Sequence, residues 1–135
     1  MIKIKIIPKD FTQATSIEFF EEIFEVTQGL DISILVNNIG MACQSGCSET
    51  LEKVINTTIL NTMPQTMLSK FVINKLKIRR QGFNSDTKVG AIIDIGSYAS
   101  VHPFAFLAFY SASKMYASHL SLSLSKTECG DYIDF

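Results

Sequence analysis

A chain of 135 residues is long enough for one domain with its own core, and 47% hydrophobic against 19% charged residues excludes a disordered chain. The net charge of −1 gives no electrostatic footprint for nucleic acid, because Lys77, Arg79 and Arg80 form only a small cluster that reads as a solvated helix end. Three cysteines cannot all pair with one another, no N-terminal stretch has the layout of a secretory signal, and none approaches the ~18 apolar residues that span a bilayer. An intracellular, reducing environment is the expectation.

In chain order, Ile2, Ile4 and Ile6 alternate with Lys3 and Lys5, which predicts a strand with one exposed face, ended by Pro8. Asp10, Phe11 and Thr12 follow at its end, where an acidic residue is also an ordinary turn former. Ile17, Phe20, Ile23, Phe24 and Val26 approximate helical spacing from Ser16 to Gln28, with Ser16 as the cap and Gly29 at the C-terminal end. Ile32 to Val36 predicts a buried strand, and Asn37 and Gly40 fall in the loop beyond it. There the glycine permits close approach to a ligand, or both residues simply form a turn.

A long helical region is predicted from Ser48 to Leu76, kinked or interrupted by Pro64. Gln81 to Lys88 reads as a surface loop and Val89 to Ile95 as a second buried strand. Tyr98 to Leu107, containing His102 and Pro103, leads into a helix over Ala108 to Lys126, whose serines, Ala112 and Ala117 permit close packing. Tyr132, Ile133 and Phe135 have the pattern of a beginning strand. Cys43 and Cys47 tolerate a zinc spacing, but no second matched pair accompanies them, so no metal site is expected.

Tyr110 and Lys114 stand at i and i+4, so a helix would put the phenol and the ammonium on one face, where the charge favours the phenolate. Ser97 lies upstream, beyond Ala91-Ile92-Ile93-Asp94-Ile95-Gly96. Further upstream comes Ile34-Leu35-Val36-Asn37-Asn38-Ile39-Gly40. Asn-Asn-x-Gly after one strand, a serine after the next and then Tyr-x-x-x-Lys together resemble the short-chain dehydrogenase/reductase family. Ile39-Gly40-Met41 is similar to the branch of 17-beta-hydroxysteroid dehydrogenases and very-long-chain 3-oxoacyl-CoA reductases.

The resemblance implies an α/β fold: a single but incomplete dinucleotide-binding domain over residues 1–135. It would be a partial Rossmann-like doubly wound parallel sheet in three αβα layers, lacking the family's first two strands and its last. Also implied are NADP or NAD as cofactor, with the branch favouring NADP, and a ketone or secondary alcohol on a steroid or 3-oxoacyl-CoA as substrate. Tyr110 would protonate the carbonyl oxygen, Ser97 would hold it, and Lys114 would bond the nicotinamide ribose. Asn37 and Gly40 would shape the cofactor loop and Asp10 would accept from the adenine amino group. Homo-oligomers would form through the two long helices, although the residues equally permit packing within one subunit. The branch is anchored in the endoplasmic reticulum by segments outside this core; without such an anchor a cytoplasmic location is expected.

Two departures follow from the same resemblance. The family's catalytic asparagine, which holds a water in the relay to the lysine, is expected within Val54 to Leu60, in a register that puts Thr58 there and Asn56 two positions early. No Gly-x-x-x-Gly-x-Gly loop precedes the first recognisable strand. The chain therefore reads as the central part of such a reductase or as an inactive remnant serving as a dimerising or binding module.

Overall fold

The computed structural model describes residues 2–43 and 48–135. Cys47, and with it any pairing with Cys43, lies outside the described residues. Three parallel strands form one open sheet: β1 (Ile34–Asn37), β2 (Gly90–Asp94) and β3 (Ile133–Asp134), in the order β1-β2-β3. Ile34 lies opposite Ala91 and Asn37 opposite Asp94, while Ile133 lies opposite Gly90. The helices are α1 (Ile17–Thr27), α2 (Leu51–Arg80) and α3 (Ala108–Ser125), with short 3-10 turns at Phe11–Gln13, Tyr98–Ser100 and Glu128–Asp131. Each parallel pair is joined through a helix, as parallel pairing demands. This is the expected partial Rossmann-like αβα fold.

The sheet is apolar on both faces, but these residues cover only one. Val72, Ile73 and Leu76 of α2 pack on Val89, Ile92, Tyr132 and Ile133 to form the core. Gly90 is the point of closest approach, since a Cβ there would come within 2.5 Å of both Leu76 Cδ2 and the Ser33 carbonyl. Alternation along the strands sends Ile34, Val36 and Ile93 to the opposite face, where they are 60%, 52% and 44% exposed. Helix α1 joins the covered side through Phe24, whose ring stacks on Phe71 of α2 at 4.3 Å. Lys75 holds the turn after α1 by donating to the carbonyls of Gln28 at 2.6 Å and Leu30 at 3.2 Å.

Several local expectations shift. The alternating Ile2, Ile4 and Ile6 form no strand; they are exposed and pair with no strand among the described residues. Asn37 belongs to β1 rather than to the loop after it. Ser16 occupies the N-cap of α1 without a side-chain capping bond, and Gln28, not Gly29, is its C-cap. Thr50 caps α2 by accepting from Lys53 N, and α2 continues through Pro64 to Arg80. Proline removes a single helical donor, and α2 runs on through Pro64, which is itself buried.

Truncating the two faces separates their roles. Ile92→Ala, fully buried, should lower unfolding stability by about 2–5 kcal/mol, and Ile93→Ala on the open face by under about 1 kcal/mol, read by chemical denaturation. A second prediction concerns Tyr132, whose ring carries the Arg80 guanidinium at 4.5 Å. Burial, followed by the hydrogen bond to Cys129, pushes its phenol from 10.0 up to about 12. A raised folded pKa gives stability that is complete below the unfolded value and lost as pH rises from about 10 to about 12. Tyr132→Phe should flatten that part of the stability profile.

Candidate active site

The site is assembled at the carboxyl ends of β1 and β2, where open α/β sheets bind ligands. Lys114 arrives on the first half of α3, 4% exposed, and its ammonium donates to the Ile95 carbonyl at 3.0 Å, just past β2. Gly40 comes against the same side chain: a Cβ at Gly40 would stand 3.0 Å from Lys114 Nζ and 3.8 Å from Asn61 Oδ1. Gly40 thus brings the backbone into close approach with the end of the Lys114 side chain. An ammonium has three donors; with one spent on Ile95, two are uncommitted among the described residues.

Asn61, one position beyond the Val54 to Leu60 window in which the resemblance expects an asparagine, makes the contacts that join the site. Fully buried on α2, it accepts from Met41 N at 2.8 Å and donates to Met41 O at 2.8 Å, pairing with both backbone groups of the residue after Gly40. The same amide nitrogen reaches Ser113 Oγ at 2.8 Å, and Ser113 donates to the Tyr110 carbonyl at 2.7 Å. One carboxamide thus ties the Asn-Asn-x-Gly loop to the Tyr-x-x-x-Lys turn. Thr58 is exposed on another face of α2 and its hydroxyl donates to the Val54 carbonyl at 2.8 Å. The helical register explains the correction. Thr57, Asn61, Gln65, Ser69, Val72, Ile73 and Leu76 make one buried line at intervals of three to four residues, and Thr58 is off it.

The other expected residues fall at different depths. Tyr110 is half-buried in the first turn of α3, on the same face as Lys114. Ser97 is the N-cap of the Tyr98–Ser100 turn: its hydroxyl accepts from Ala99 N at 3.2 Å, and its carbonyl accepts from Ser100 N at 3.0 Å and from the Ser100 hydroxyl. Asn37 lies beneath the site, its amide donating to Ser69 Oγ at 3.1 Å and to Asp94 Oδ1 at 2.8 Å, while Ser121 of α3 donates to Asp94 Oδ2 at 2.7 Å. Asn37 O also accepts from Ile95 N at 2.9 Å, fixing the residue whose carbonyl holds Lys114. Asp10 stands apart as the N-cap of the Phe11–Gln13 turn, its Oδ1 accepting from Thr12 N at 3.0 Å and Thr12 Oγ1 at 2.8 Å. Among the described residues no cluster of His, Cys, Asp and Glu could hold a metal, and no helix is long and apolar enough to cross a membrane.

Fold and site together define a Rossmann-like domain with a serine, tyrosine and lysine at the open ends of its strands. Residues 2–133 match the short chain dehydrogenase family, and the chain belongs to it. Over 130 residues it is 31% identical to a very-long-chain 3-oxoacyl-CoA reductase of Caenorhabditis briggsae, covering 93% of this chain and 38% of that protein. It is 32% identical to a putative steroid dehydrogenase of Caenorhabditis elegans, again with 93% and 38% covered. The chain thus spans about two-fifths of these relatives' length. Among solved structures, a ketone-specific alcohol dehydrogenase of Comamonas testosteroni superposes with a TM-score of 0.77 at 26% identity, over 98% of this chain and 49% of that one. A short-chain dehydrogenase of Sphingobium yanoikuyae in complex with NADPH gives 0.70 at 28%, over 90% and 45%.

Removing the Asn61 side chain should free the loop it holds. Asn61→Ala is expected to abolish slow hydrogen exchange at the Met41 amide and to cost about 1–3 kcal/mol, since Met41 loses both partners inside the protein. Thr58→Ala should change neither quantity by more than a few tenths of a kcal/mol.

Proposed function

We propose that these residues are the acid-base half of an NAD(P)-dependent carbonyl reductase or alcohol dehydrogenase that acts on a lipid-like substrate. The observation that carries this reading is the joining of the Asn-Asn-x-Gly loop to the Tyr-x-x-x-Lys turn through Asn61, with Lys114 against Gly40. A turn of helix and a turn of loop need no such tie for stability alone. They need it where an ammonium and a phenol must keep a fixed relation to a third group.

The chain's own residues fit the nicotinamide end of such a cofactor. Among the described residues Lys114 keeps donors for ribose hydroxyls beyond its bond to Ile95. Asp10 is exposed and would take the adenine amino group through the oxygen that Thr12 leaves free. No glycine-rich loop for the diphosphate occurs in this sequence, so those contacts are not made by these residues. The cofactor supplies hydride when bound. Tyr110 donates the proton to the carbonyl oxygen during reduction, and Ser97 holds that oxygen in line through its hydroxyl. Lys114 favours the phenolate left behind. Asn61, rather than Thr58, takes the part of the family's relay asparagine.

Relatives named for 3-oxoacyl-CoA and steroid substrates favour a lipid-like ketone, and a structural neighbour in complex with NADPH supports NADP as the cofactor. Exposed Leu51, Ile55, Met115, Tyr116 and Leu122 on α2 and α3 favour a homo-oligomer through these helices, which is also the basis of the alternative reading as a binding module.

The test transplants the site into a complete frame. Residues 2–133 would replace the matching segment of the Caenorhabditis briggsae reductase, and NADPH oxidation would be followed with a 3-oxoacyl-CoA. Turnover is expected, reduced roughly 10²–10⁴-fold by Tyr110→Phe, lowered by Asn61→Ala and unchanged by Thr58→Ala. A folded chimera that binds NADPH yet is inactive with Tyr110 in place would overturn the reading.

A further inference from the structure

We infer that the cavity at the C-terminal end of α2 is a binding site for a phosphate monoester carried on a flat ring that also bears an amino group. The cavity holds about 410 Å³ and is lined by Lys77, Arg80, Gln81, Phe83, Glu128 and Tyr132. Its walls are the last turn of α2, the turn that follows it, and the Glu128–Asp131 turn before β3. Tyr132 directly precedes β3, and its carbonyl accepts from Val89 N, just before β2, at 2.8 Å. The cavity is therefore at the amino ends of these strands, at the opposite edge of the sheet from Lys114. Along α2 alone, Arg80 is roughly 30 Å from Asn61. The inference does not depend on the reductase reading, since none of these residues takes part in it.

Basic residues at the end of a helix ordinarily answer its unpaired carbonyls. Here the carbonyls of Ile78, Arg79 and Arg80 already accept from the amides of Gln81, Gly82 and Phe83, at 3.1, 3.1 and 3.0 Å. Arg79 is committed elsewhere, to Asp31 at 2.8 Å. Lys77 and Arg80, by contrast, make no hydrogen bond or ion pair among the described residues. The Arg80 guanidinium lies 4.5 Å from the centroid of the Tyr132 ring, a contact that orients it and spends none of its five N–H donors on an acceptor. A fork held in this way is prepared for phosphate oxygens, and a second cation beside it suits a doubly charged group. Glu128 lines the same cavity without closing onto either cation. Opposite charges that share a cavity and stay apart leave room between them, and a ligand lying there must offer an anion to Arg80 and Lys77 and a donor to Glu128. Phe83, 48% exposed, supplies the apolar wall against which its ring would lie.

Adenosine monophosphate has this arrangement of phosphate, ring and amine and serves as the probe. The purified 135-residue chain would be titrated with it by calorimetry at low salt, with the fold followed by circular dichroism. Saturable binding is expected, weakened about tenfold or more by Arg80→Met. Lys77→Gln should also weaken it, and this side chain is exposed, so its loss acts on the ligand and not on the fold. Inosine monophosphate, with a carbonyl in place of the amine, should bind less tightly, and Glu128→Ala should remove that difference. Arg79→Gln, outside the cavity, should leave binding as it is. No binding by a folded chain, affinity for inorganic phosphate equal to that for the nucleotide, or binding that survives both Arg80→Met and Lys77→Gln would overturn the inference. So would binding lost in Asp10→Asn instead, which would give the nucleotide to the adenine contact proposed above. In the chimera with the Caenorhabditis briggsae reductase, binding that no longer depends on Arg80 would do the same, because the remainder of a reductase would then cover the cavity.

Discussion

Helix α2 changes character along a single buried line, and the rest of the molecule is arranged around that change. Its second half presents Val72, Ile73 and Leu76 to the sheet, and its first half presents Thr57, Asn61, Gln65 and Ser69. A buried polar group left without a partner costs about 1–3 kcal/mol; among the described residues Asn61 and Ser69 find partners, whereas the Thr57 hydroxyl and the Gln65 carboxamide have none. The partner of Asn61 lies beyond the ends of the strands, where the β1 chain leaves the sheet and Met41 has both backbone groups to offer. Asn61 therefore fixes how far α2 extends past the sheet. Ser69, bonded to Asn37, marks the crossover from apolar core to polar site. The position of the site is a consequence of where the helix stops being oily.

A second tier of bonds carries that placement to Lys114. Asn37 and Ser121 both donate to Asp94, so β1, β2 and α3 share one carboxylate at the level of the last strand residues. Ile95 follows directly, its amide held by Asn37 O and its carbonyl engaged by Lys114. The ammonium is thus located by strand pairing as well as by its own helix. Side chains of this length have considerable rotamer freedom to lose. Burial beneath Gly40 and a fixed carbonyl remove that freedom during folding, before any ligand arrives.

Much of this was legible in the sequence. The Ile- and Val-rich runs identified two of the strands, and the motifs at their ends placed Gly40, Ser97, Tyr110 and Lys114 at the open ends of a parallel sheet. Asn61 is not legible from motif spacing alone, because nothing local fixes the register of the Val54 to Leu60 window beside it. Counting back from Leu76 at helical intervals would have found it, since Val72, Ser69, Gln65 and Asn61 fall on that line. Asp94 and Ser113 gave no signal, because an acidic residue in a strand and a serine in a helix acquire meaning only when the partner element is in place. Phe106 was equally illegible: nothing in Phe-Ala-Phe-Leu announces a left-handed backbone.

The expected N-terminal strand does not form, and the reason lies in what a strand is. Alternating Ile2, Ile4 and Ile6 satisfy the period of a strand, yet a strand is a relation between neighbours, and the free edge of β1 is not where this segment lies. Its side chains and the apolar face formed by Ile34, Val36 and Ile93 are left in water together. By contrast, Lys114 is held by the Ile95 carbonyl and Asn61 by Met41 and Ser113, all within these residues. The contacts that hold Lys114 and Asn61 are local to the ends of two adjacent strands and the helices beside them, so their geometry does not draw on the remainder of a sheet.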